Sequence, residues 1–323
     1  YNIRVLNLSL GHPVYESYRD DPMCRAVRKA YDNGILVVVA AGNDGGVGSG
    51  FGTITSPGNE PSAVTVGAMD DANTVTTTDD VLAWYSSKGP ALIDYVVKPD
   101  LVAPGTWIVS LRAAGSYLDT NYHSLALKVG EYKNDAANAT RDGAYYVLSG
   151  TSMAAPMVSA TAALMVQKDP SLNPGTVKAR LMKSAVKDDR IVFETGAGYL
   201  DVDAALKAAG YAKDALSPLA MLASDDNVYI QDTGLIWGID FAMAGVWGGT
   251  KARCIGVDMT DVPDTITATY GAIWGGGKSG TKSIIDNNMI TSSGLVWGGD
   301  ACSLTSTTGS VANMGAIWGG GKR

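Results

Sequence analysis

The sequence predicts an α/β fold built on a largely parallel, buried sheet. Residues 35–41 are apolar at every position, which is typical of a parallel strand that is covered on both faces. Strand-type and helix-type segments precede this run, and another strand-type segment follows it at residues 62–69. Such an order forms βαβ units, in which parallel strands lie side by side under helices. We therefore expect the functional site at the carboxyl ends of the strands.

The predicted elements follow one another in a regular order. Asp21 before Pro22 is a typical helix start, because Asp caps the first N–H groups and Pro needs no N–H there. Residues 113–144 are polar and show no periodicity, so we interpret them as an irregular surface insertion. Predicted strands occupy residues 3–11, 35–41, 62–69 and 145–148, and predicted helices occupy residues 23–33, 153–167, 176–187 and 198–210.

The composition excludes several classes of function. The 323 residues carry a net charge of −7, which argues against binding nucleic acid through bulk charge. No apolar run approaches the length of a membrane-spanning helix. Low charge and many Gly, Ser and Thr residues favour a secreted, extracellular protein. The first residues do not form a signal peptide, so we expect an internal or processed start.

A change of composition near residue 214 indicates a second region. Residues 214–323 are rich in Gly, Thr and Ser and contain five Trp-Gly repeats, at Trp237, Trp247, Trp274, Trp297 and Trp318. Repeats of this period indicate stacked short elements, so we predict a β-rich repeat region with buried indoles. The alternative is an adhesive or assembly surface, since Trp also suits interfaces. Of the three cysteines, Cys254 and Cys302 could pair within this region and leave Cys24 reduced.

One stretch carries the chemistry, the sequence Leu-Ser-Gly-Thr-Ser-Met-Ala-Ala-Pro at residues 148–156. It predicts a loop that turns into a helix, because Thr151 and Ser152 are good N-cap types and Pro156 is tolerated near a helix start. A hydroxyl at a helix N-terminus lies where negative charge is favoured, so Ser152 could attack a carbonyl as a nucleophile. The alternative is a simple cap before a buried helix.

Serine acyl transfer also needs a base, a group that orients the base, and donors for the oxyanion. The N–H of Ser152 can supply one oxyanion donor. Asn43 is a candidate second donor, because it follows the apolar run at 35–41 and carries a neutral amide. An Asn in a Gly-rich loop can equally be a simple turn residue.

The stretch 148–156 resembles the nucleophile motif of the subtilisin-like serine proteases. The resemblance covers about residues 1–210 in the order of that family and implies a parallel-sheet, subtilisin-like α/β fold. We therefore predict a catalytic domain at residues 1–213 and a separate tail at 214–323. The resemblance implies Ser152 as nucleophile and Asn43 as oxyanion donor. It also implies a substrate-binding strand at Ser9, Leu10 and Gly11, and an opposing wall of the primary pocket at Ala40, Ala41 and Gly42.

The sequence departs from this family in one respect. The catalytic Asp and His of the family precede the substrate-binding strand, and the present sequence begins at that strand. Its two histidines, His12 and His123, are not in the family's context, so we expect neither to be the base. The predicted fold is therefore partial, lacking its N-terminal portion. The catalytic Asp and His are expected on a preceding segment of a longer polypeptide or on a separate chain left by cleavage.

The resulting prediction is a serine endopeptidase that hydrolyses peptide bonds through an acyl-enzyme. The alternative is a catalytically inactive, subtilase-derived assembly or binding module that uses the Trp-Gly tail. Expected partners are a polypeptide substrate and the piece that carries Asp and His, with self-association through the tail as a further option. No cofactor is required. Structural calcium is an option at two acidic pairs, Asp70 with Asp71 and Asp79 with Asp80, although such pairs are commonly only solvated. An uncharged pocket wall predicts cleavage after large apolar or aromatic side chains.

Overall fold

The computed structural model describes residues 2–46, 50–188, 190–222, 228–230 and 239–241, together with Thr233, Trp237 and Val246. The strands are β1 Val5–Leu8, β2 Leu36–Ala40, β3 Val64–Asp70, β4 Val81–Leu82, β5 Leu101–Pro104, β6 Ile108–Leu111, β7 Ala126–Lys128, β8 Asp142–Leu148, β9 Ala220–Leu222 and β10 Val228–Ile230. The helices are α1 Pro22–Asp32, α2 Tyr117–Asn121, α3 Val129–Tyr132, α4 Thr151–Lys168, α5 Pro174–Ser184, α6 Val192–Thr195 and α7 Val202–Lys207.

The central sheet is parallel, as the sequence predicts. Strand β2 pairs in parallel with β1 on one side and with β3 on the other, and β3 pairs in parallel with β5. The short strand β4 is antiparallel to the end of β3. Because β1, β2 and β5 run in the same direction, their carboxyl ends meet at one edge of the sheet.

Helices cover both faces of this sheet. Every residue of β2 is buried, and successive side chains point to opposite faces. Leu36, Val38 and Ala40 belong to a core cluster with alanines of α4, whereas Val37 and Val39 pack with Val27 of α1. The fully apolar run at residues 35–41 therefore corresponds to a strand with a helix on each face of the sheet.

The insertion at 113–144 is more ordered than the sequence predicts. Strand β8 begins at Asp142 and pairs in an antiparallel manner with β6 and β7, forming a second sheet in the order β6-β8-β7. Helices α2 and α3 lie between these strands in the chain. The helices and strands from α2 to β8 are only three to seven residues long. Elements of this length are too short for hydrophobic periodicity to reveal them.

Residues just beyond the predicted boundary at 213 still pack on the α/β unit. The Ser217 side chain is buried, and the backbone N–H of Val97 donates to the carbonyl of Pro218 at 2.8 Å. Trp237 is buried, with its indole N–H donating to the Leu216 carbonyl at 2.8 Å, and its backbone is helical rather than extended. Cys24 is buried and free. Trp247, Trp274, Trp297, Trp318, Cys254 and Cys302 lie outside the described residues, so the repeat fold and the cysteine pairing stay predictions.

Candidate active site

Three predicted site residues meet where β1, β2 and α4 come together. Ser9 follows β1, Asn43 follows β2, and Ser152 is the second residue of α4. The hydroxyl of Ser9 donates to the carbonyl of Ser152 at 2.8 Å. The N–H of Thr151, the residue before the nucleophile, donates to Oδ1 of Asn43 at 2.9 Å. Ser152 therefore lies between the ends of the two strands.

The amide of Asn43 is anchored through its oxygen. Its Oδ1 accepts from both the N–H of Thr151, at 2.9 Å, and the hydroxyl of Thr151, at 3.0 Å. The side chain of Thr151 is itself buried and accepts from the N–H of Gly42 at 3.2 Å. With Oδ1 engaged in this way, the Nδ2 group of the exposed Asn43 remains to donate to a ligand.

The start of α4 differs from the sequence prediction. The N-cap residue is Gly150, so Thr151 and Ser152 are the first two helical residues rather than caps. Pro156 therefore lies beyond the first turn and inside the helix. Its missing N–H would have bonded to the carbonyl four residues earlier, that of Ser152. The Ser9 hydroxyl occupies this vacated acceptor at 2.8 Å, and so joins the predicted substrate strand to the nucleophile turn.

The predicted pocket walls face each other across Thr55. A Cβ added at Gly11 would come within 2.4 Å of Oγ1 of Thr55, and one added at Gly42 within 2.8 Å of its Cγ2. Gly42 also has a φ of +113°, a conformation that L side chains rarely adopt. The N–H of Thr55 donates to the carbonyl of Ala41 at 3.0 Å. Thr55 thus fills the space between the two walls, and both glycines are required by its proximity.

The other predicted wall residues contribute in different ways. Ala40 and Ala41 are buried in separate core clusters on the two faces of the sheet. Their methyl groups therefore pack into the core, and only their backbone can line a pocket. Leu10 is 46% exposed beside Gly11. Thr55 is not predicted from the sequence, because no pattern distinguishes a single threonine in a loop from a turn residue.

Both histidines are engaged by neighbouring groups. The ring of His12 hydrogen-bonds through Nδ1 to the carbonyl of Pro13 at 2.8 Å, and its Nε2 lies 3.7 Å from Asp21. Burial would raise the pKa of Asp21, but hydrogen bonds from Ser56 and from the backbone of α1 outweigh it and lower the pKa. Among the described residues, no hydrogen bond joins either imidazole to Ser152.

His123 lies in the insertion, between two carboxylates. Its Nε2 is 2.6 Å from Asp142 and its Nδ1 is 3.4 Å from Asp119. Two hydrogen bonds from the guanidinium of Arg112 lower the pKa of Asp119 to about 2, so this carboxylate is charged at neutral pH. His123 therefore joins parts of the insertion and does not belong to the nucleophile site.

The acidic pairs considered for calcium do not form a ligand cluster. Within the described part of the chain, no group of three His, Cys, Asp or Glu side chains could hold a metal ion. Asp79 accepts hydrogen bonds from the hydroxyls of Thr74 and Thr76, and Asp70 and Asp71 accept from the backbone N–H groups two residues ahead. Asp70, Asp71 and Asp79 thus stabilise turns, and structural calcium at these pairs stays a prediction.

Comparison with known proteins shows which family this chain resembles. A model of the subtilase family, Peptidase_S8, matches residues 1–198. The serine protease AprX of Bacillus subtilis is 39% identical over 60% of this chain and 41% of its own length. A subtilisin of Bacillus pumilus is 33% identical over 63% of this chain and 57% of its own length. The chain thus spans less than two thirds of these relatives. The solved structure of the prenylagaramide maturation protease PagA covers 64% of this chain and 61% of its own, with 24% identity and a TM-score of 0.44.

Proposed function

Because this chain belongs to the subtilase family, we propose that it supplies the nucleophile, the oxyanion donors and the substrate-binding walls of a serine endopeptidase. The observation that carries the proposal is the position of Ser152. It lies in the first turn of an 18-residue helix, where the dipole favours negative charge. It is also adjacent to an anchored Asn43 amide and hydrogen-bonded to the end of β1.

In this mechanism the hydroxyl of Ser152 attacks the carbonyl carbon of a peptide bond while a base removes its proton. The carbonyl oxygen becomes an oxyanion and accepts hydrogen bonds from the N–H of Ser152 and from Nδ2 of Asn43. The C–N bond then breaks as the base returns the proton to the leaving amine, which gives an acyl-enzyme. Water, deprotonated by the same base, hydrolyses the ester and restores Ser152.

We propose that the base and its orienting carboxylate come from outside residues 1–323, on a preceding segment or on a separate chain. His12 and His123 support this assignment, because each has its own carboxylate and carbonyl partners away from Ser152. An unactivated hydroxyl is a weak nucleophile near neutral pH. The isolated chain should therefore be almost inactive, and the complete assembly active.

The test is labelling with a fluorophosphonate, which reacts with activated serine nucleophiles, together with hydrolysis of a fluorogenic peptide. Both are measured with residues 1–323 alone and with the Asp- and His-bearing piece added. We expect labelling and hydrolysis only in the complete assembly, both lost in Ser152→Ala and retained in Ser124→Ala, an exposed serine of the insertion. Full activity of residues 1–323 alone would assign the base to His12 or His123. Absence of labelling in the complete assembly would favour a non-catalytic binding module.

The proposal extends to location and assembly. No helix among the described residues is long and apolar enough to cross a membrane. We propose secretion on the basis of the low charge and the abundance of Gly, Ser and Thr. Recovery of the protein from the culture medium of the producing cells would support secretion. Self-association through residues 214–323 remains a secondary proposal, tested by sedimentation with and without that region.

A further inference from the structure

The two faces of the second sheet, β6-β8-β7, differ in how far they are covered. Tyr146 is buried on one face, where its hydroxyl donates to the carbonyls of Leu118 and Tyr122 in and after α2. Directly opposed residues of an antiparallel pair share a face. Ser110, the partner of Tyr146 on β6, therefore lies on the same face, but it is itself exposed, so this face is covered at Tyr146 and not at β6.

The opposite face is apolar and exposed at its β6 end. Val109 pairs with Val147 and Leu111 pairs with Tyr145 on that face. Val109 is 55% exposed and Leu111 is 79% exposed, although both are aliphatic. Tyr132 packs edge-on against Tyr145, with 4.8 Å between ring centroids, and so covers the face only toward β7. We call the open portion, formed by Val109, Leu111, Tyr145 and Val147, the β6 face.

The β6 face is continuous with the nucleophile loop. Strand β8 ends at Leu148, and Ser149, Gly150 and Thr151 lead directly to Ser152. Gly150 is fixed by donating its N–H to the carbonyl of Gly105 at 2.8 Å. Leu111 lies opposite Tyr145, seven residues before Ser152, so the face extends at most about 23 Å from the nucleophile. An extended polypeptide in the cleft could reach it within seven or eight residues.

Trp107 shows that exposed apolar surface is maintained here against a conformational cost. It immediately precedes β6 with a φ of +55°, a region that bulky residues rarely occupy, and its indole is 56% exposed. The backbone N–H of Trp107 donates to Oγ of Ser149 at 2.9 Å. Strained residues persist where the surrounding structure holds them, and they cluster at binding sites. The strain here holds a large aromatic side chain beside the nucleophile loop.

Two properties of the β6 face identify its occupant. First, β6 pairs only with β8 among the described strands, so its outer edge can accept an added extended strand. Secondly, the face carries no charge. Arg112, the next residue along, is committed to Asp119 and to the carbonyl of Gly143. An extended segment rich in apolar and aromatic side chains fits such a surface, whereas an acidic or basic segment does not.

We propose that the β6 face is an exosite for the polypeptide substrate, which binds an extended apolar segment of that substrate several residues from the cleaved bond. This inference rests on the proposed function. It predicts that long substrates with such a segment are cleaved more efficiently than short ones of the same core sequence. The added selectivity arises from binding outside the primary pocket.

The experiment uses the complete assembly and two fluorogenic peptides with one cleavable core. One peptide ends at the core, and the other carries eight residues rich in Leu, Val and Phe, placed at either end in separate versions. The test variant is Val109→Thr with Leu111→Thr, which places β-branched side chains that favour a strand at both positions. The matched control is Val81→Thr, because Val81 is similarly exposed, at 53%, on β4. Fluorophosphonate labelling of each variant confirms an intact fold.

We expect the double variant to lower kcat/KM for one extended peptide by about tenfold, with hydrolysis of the short peptide unchanged and the control equal to wild type. Fluorescence anisotropy of an extended peptide on the Ser152→Ala assembly should show the same loss of binding, independently of catalysis. Equal kcat/KM for short and extended peptides in wild type would overturn the exosite while leaving the protease intact. Dissociation of a wild-type dimer by the double variant would also overturn it, because a second copy would be the occupant.

Discussion

Replacing Asp100 with asparagine should destabilise this protein more than replacing Lys178, one of the two lysines that contact it. Asp100, Lys98 and Lys178 are all fully buried. Oδ2 of Asp100 lies 2.7 Å from the ammonium of Lys98, and Oδ1 lies 3.1 Å from that of Lys178. Asp100 also accepts from the N–H of Thr65 and from the hydroxyl of Ser217. The carboxylate of Asp100 is therefore the hydrogen-bond acceptor and ion-pair partner of two buried lysine side chains.

The number of buried charges that are left unpaired sets the relative free-energy costs of the two substitutions. Asp100→Asn leaves the buried ammonium of Lys98 without its counter-charge, and below about pH 7 that of Lys178 as well. Removing one partner of a buried ion pair costs about 3–5 kcal/mol. Lys178→Met leaves one ammonium facing one carboxylate. The Ala63 carbonyl loses a 2.8 Å bond from Lys178 but keeps a 2.9 Å bond from Lys98. The cost of Lys178→Met is therefore that of lost hydrogen bonds, about 1–3 kcal/mol.

The same cluster predicts a pH dependence. Burial lowers the pKa of Lys178 to about 7, and the attraction of Asp100 only partly offsets it. A lysine in the unfolded chain titrates near its ordinary value of 10.5. Between these two pH values the unfolded state binds the extra proton, so the free energy of unfolding rises with pH by at most about 1.4 kcal/mol per unit. Lys178→Met removes this pH dependence. The difference in free energy of unfolding between wild type and the variant should therefore grow from pH 7 to 9.

The assay is urea unfolding of the full chain at pH 6 to 9, with Lys207→Met as a control. Lys207 is exposed on α7, and its replacement should change stability by less than about 0.5 kcal/mol. If Asp100→Asn does not fold, adding Lys178→Met removes one of the unpaired charges and should restore folding. Equal losses in the two single variants would refute the charge argument. Parallel pH slopes of wild type and Lys178→Met would show that Lys178 stays protonated.

The remaining predictions concern the site and the thiol. Asn43→Ala should reduce kcat by about 10²–10³ with little change in KM, because it removes one oxyanion donor; an unchanged kcat would exclude that role. Ser9→Ala should lower kcat about tenfold by leaving the Ser152 carbonyl unpaired, and Ser9→Thr should retain most activity. Cleavage profiling should show large apolar or aromatic residues before the cleaved bond, and a profile dominated by Lys or Arg would contradict this. Burial raises the pKa of Cys24 to about 12, so its peptide should remain unalkylated by iodoacetamide at pH 8 until the protein unfolds.

The parts of this protein that the sequence predicts share a local physical cause. The apolar run at 35–41 predicts β2 because only a doubly covered strand hides every side chain. The Asp21-Pro22 pair predicts the start of α1, and Asp21 indeed accepts from the N–H groups of Met23 and Cys24. The nucleophile stretch predicts a loop followed by a helix, and α4 follows it. Each of these signals depends on neighbours within one turn or one strand.

The parts that the sequence does not predict depend on contacts between distant residues. The insertion is ordered because Tyr146 reaches the carbonyls of Leu118 and Tyr122, more than twenty residues away. Thr55 lies against Gly11 and Gly42, and neither glycine is its neighbour in the sequence. The buried Lys98 and Lys178 would both be expected at the surface from their residue type alone. None of these arrangements produces a periodic or local pattern in the sequence.

Pro156 illustrates how a local rule can fail in an informative way. A proline after the first helical turn is unfavourable, because it leaves one carbonyl without its helical partner. In α4 that carbonyl belongs to Ser152, and the Ser9 hydroxyl binds it from the end of another strand. Asn7, two residues earlier, accepts from Ser159 of the same helix at 2.8 Å. The cost of the proline is therefore offset by a contact that joins the proposed nucleophile to the predicted substrate-binding strand, so the orientation of Ser152 depends on the sheet as well as on its own helix.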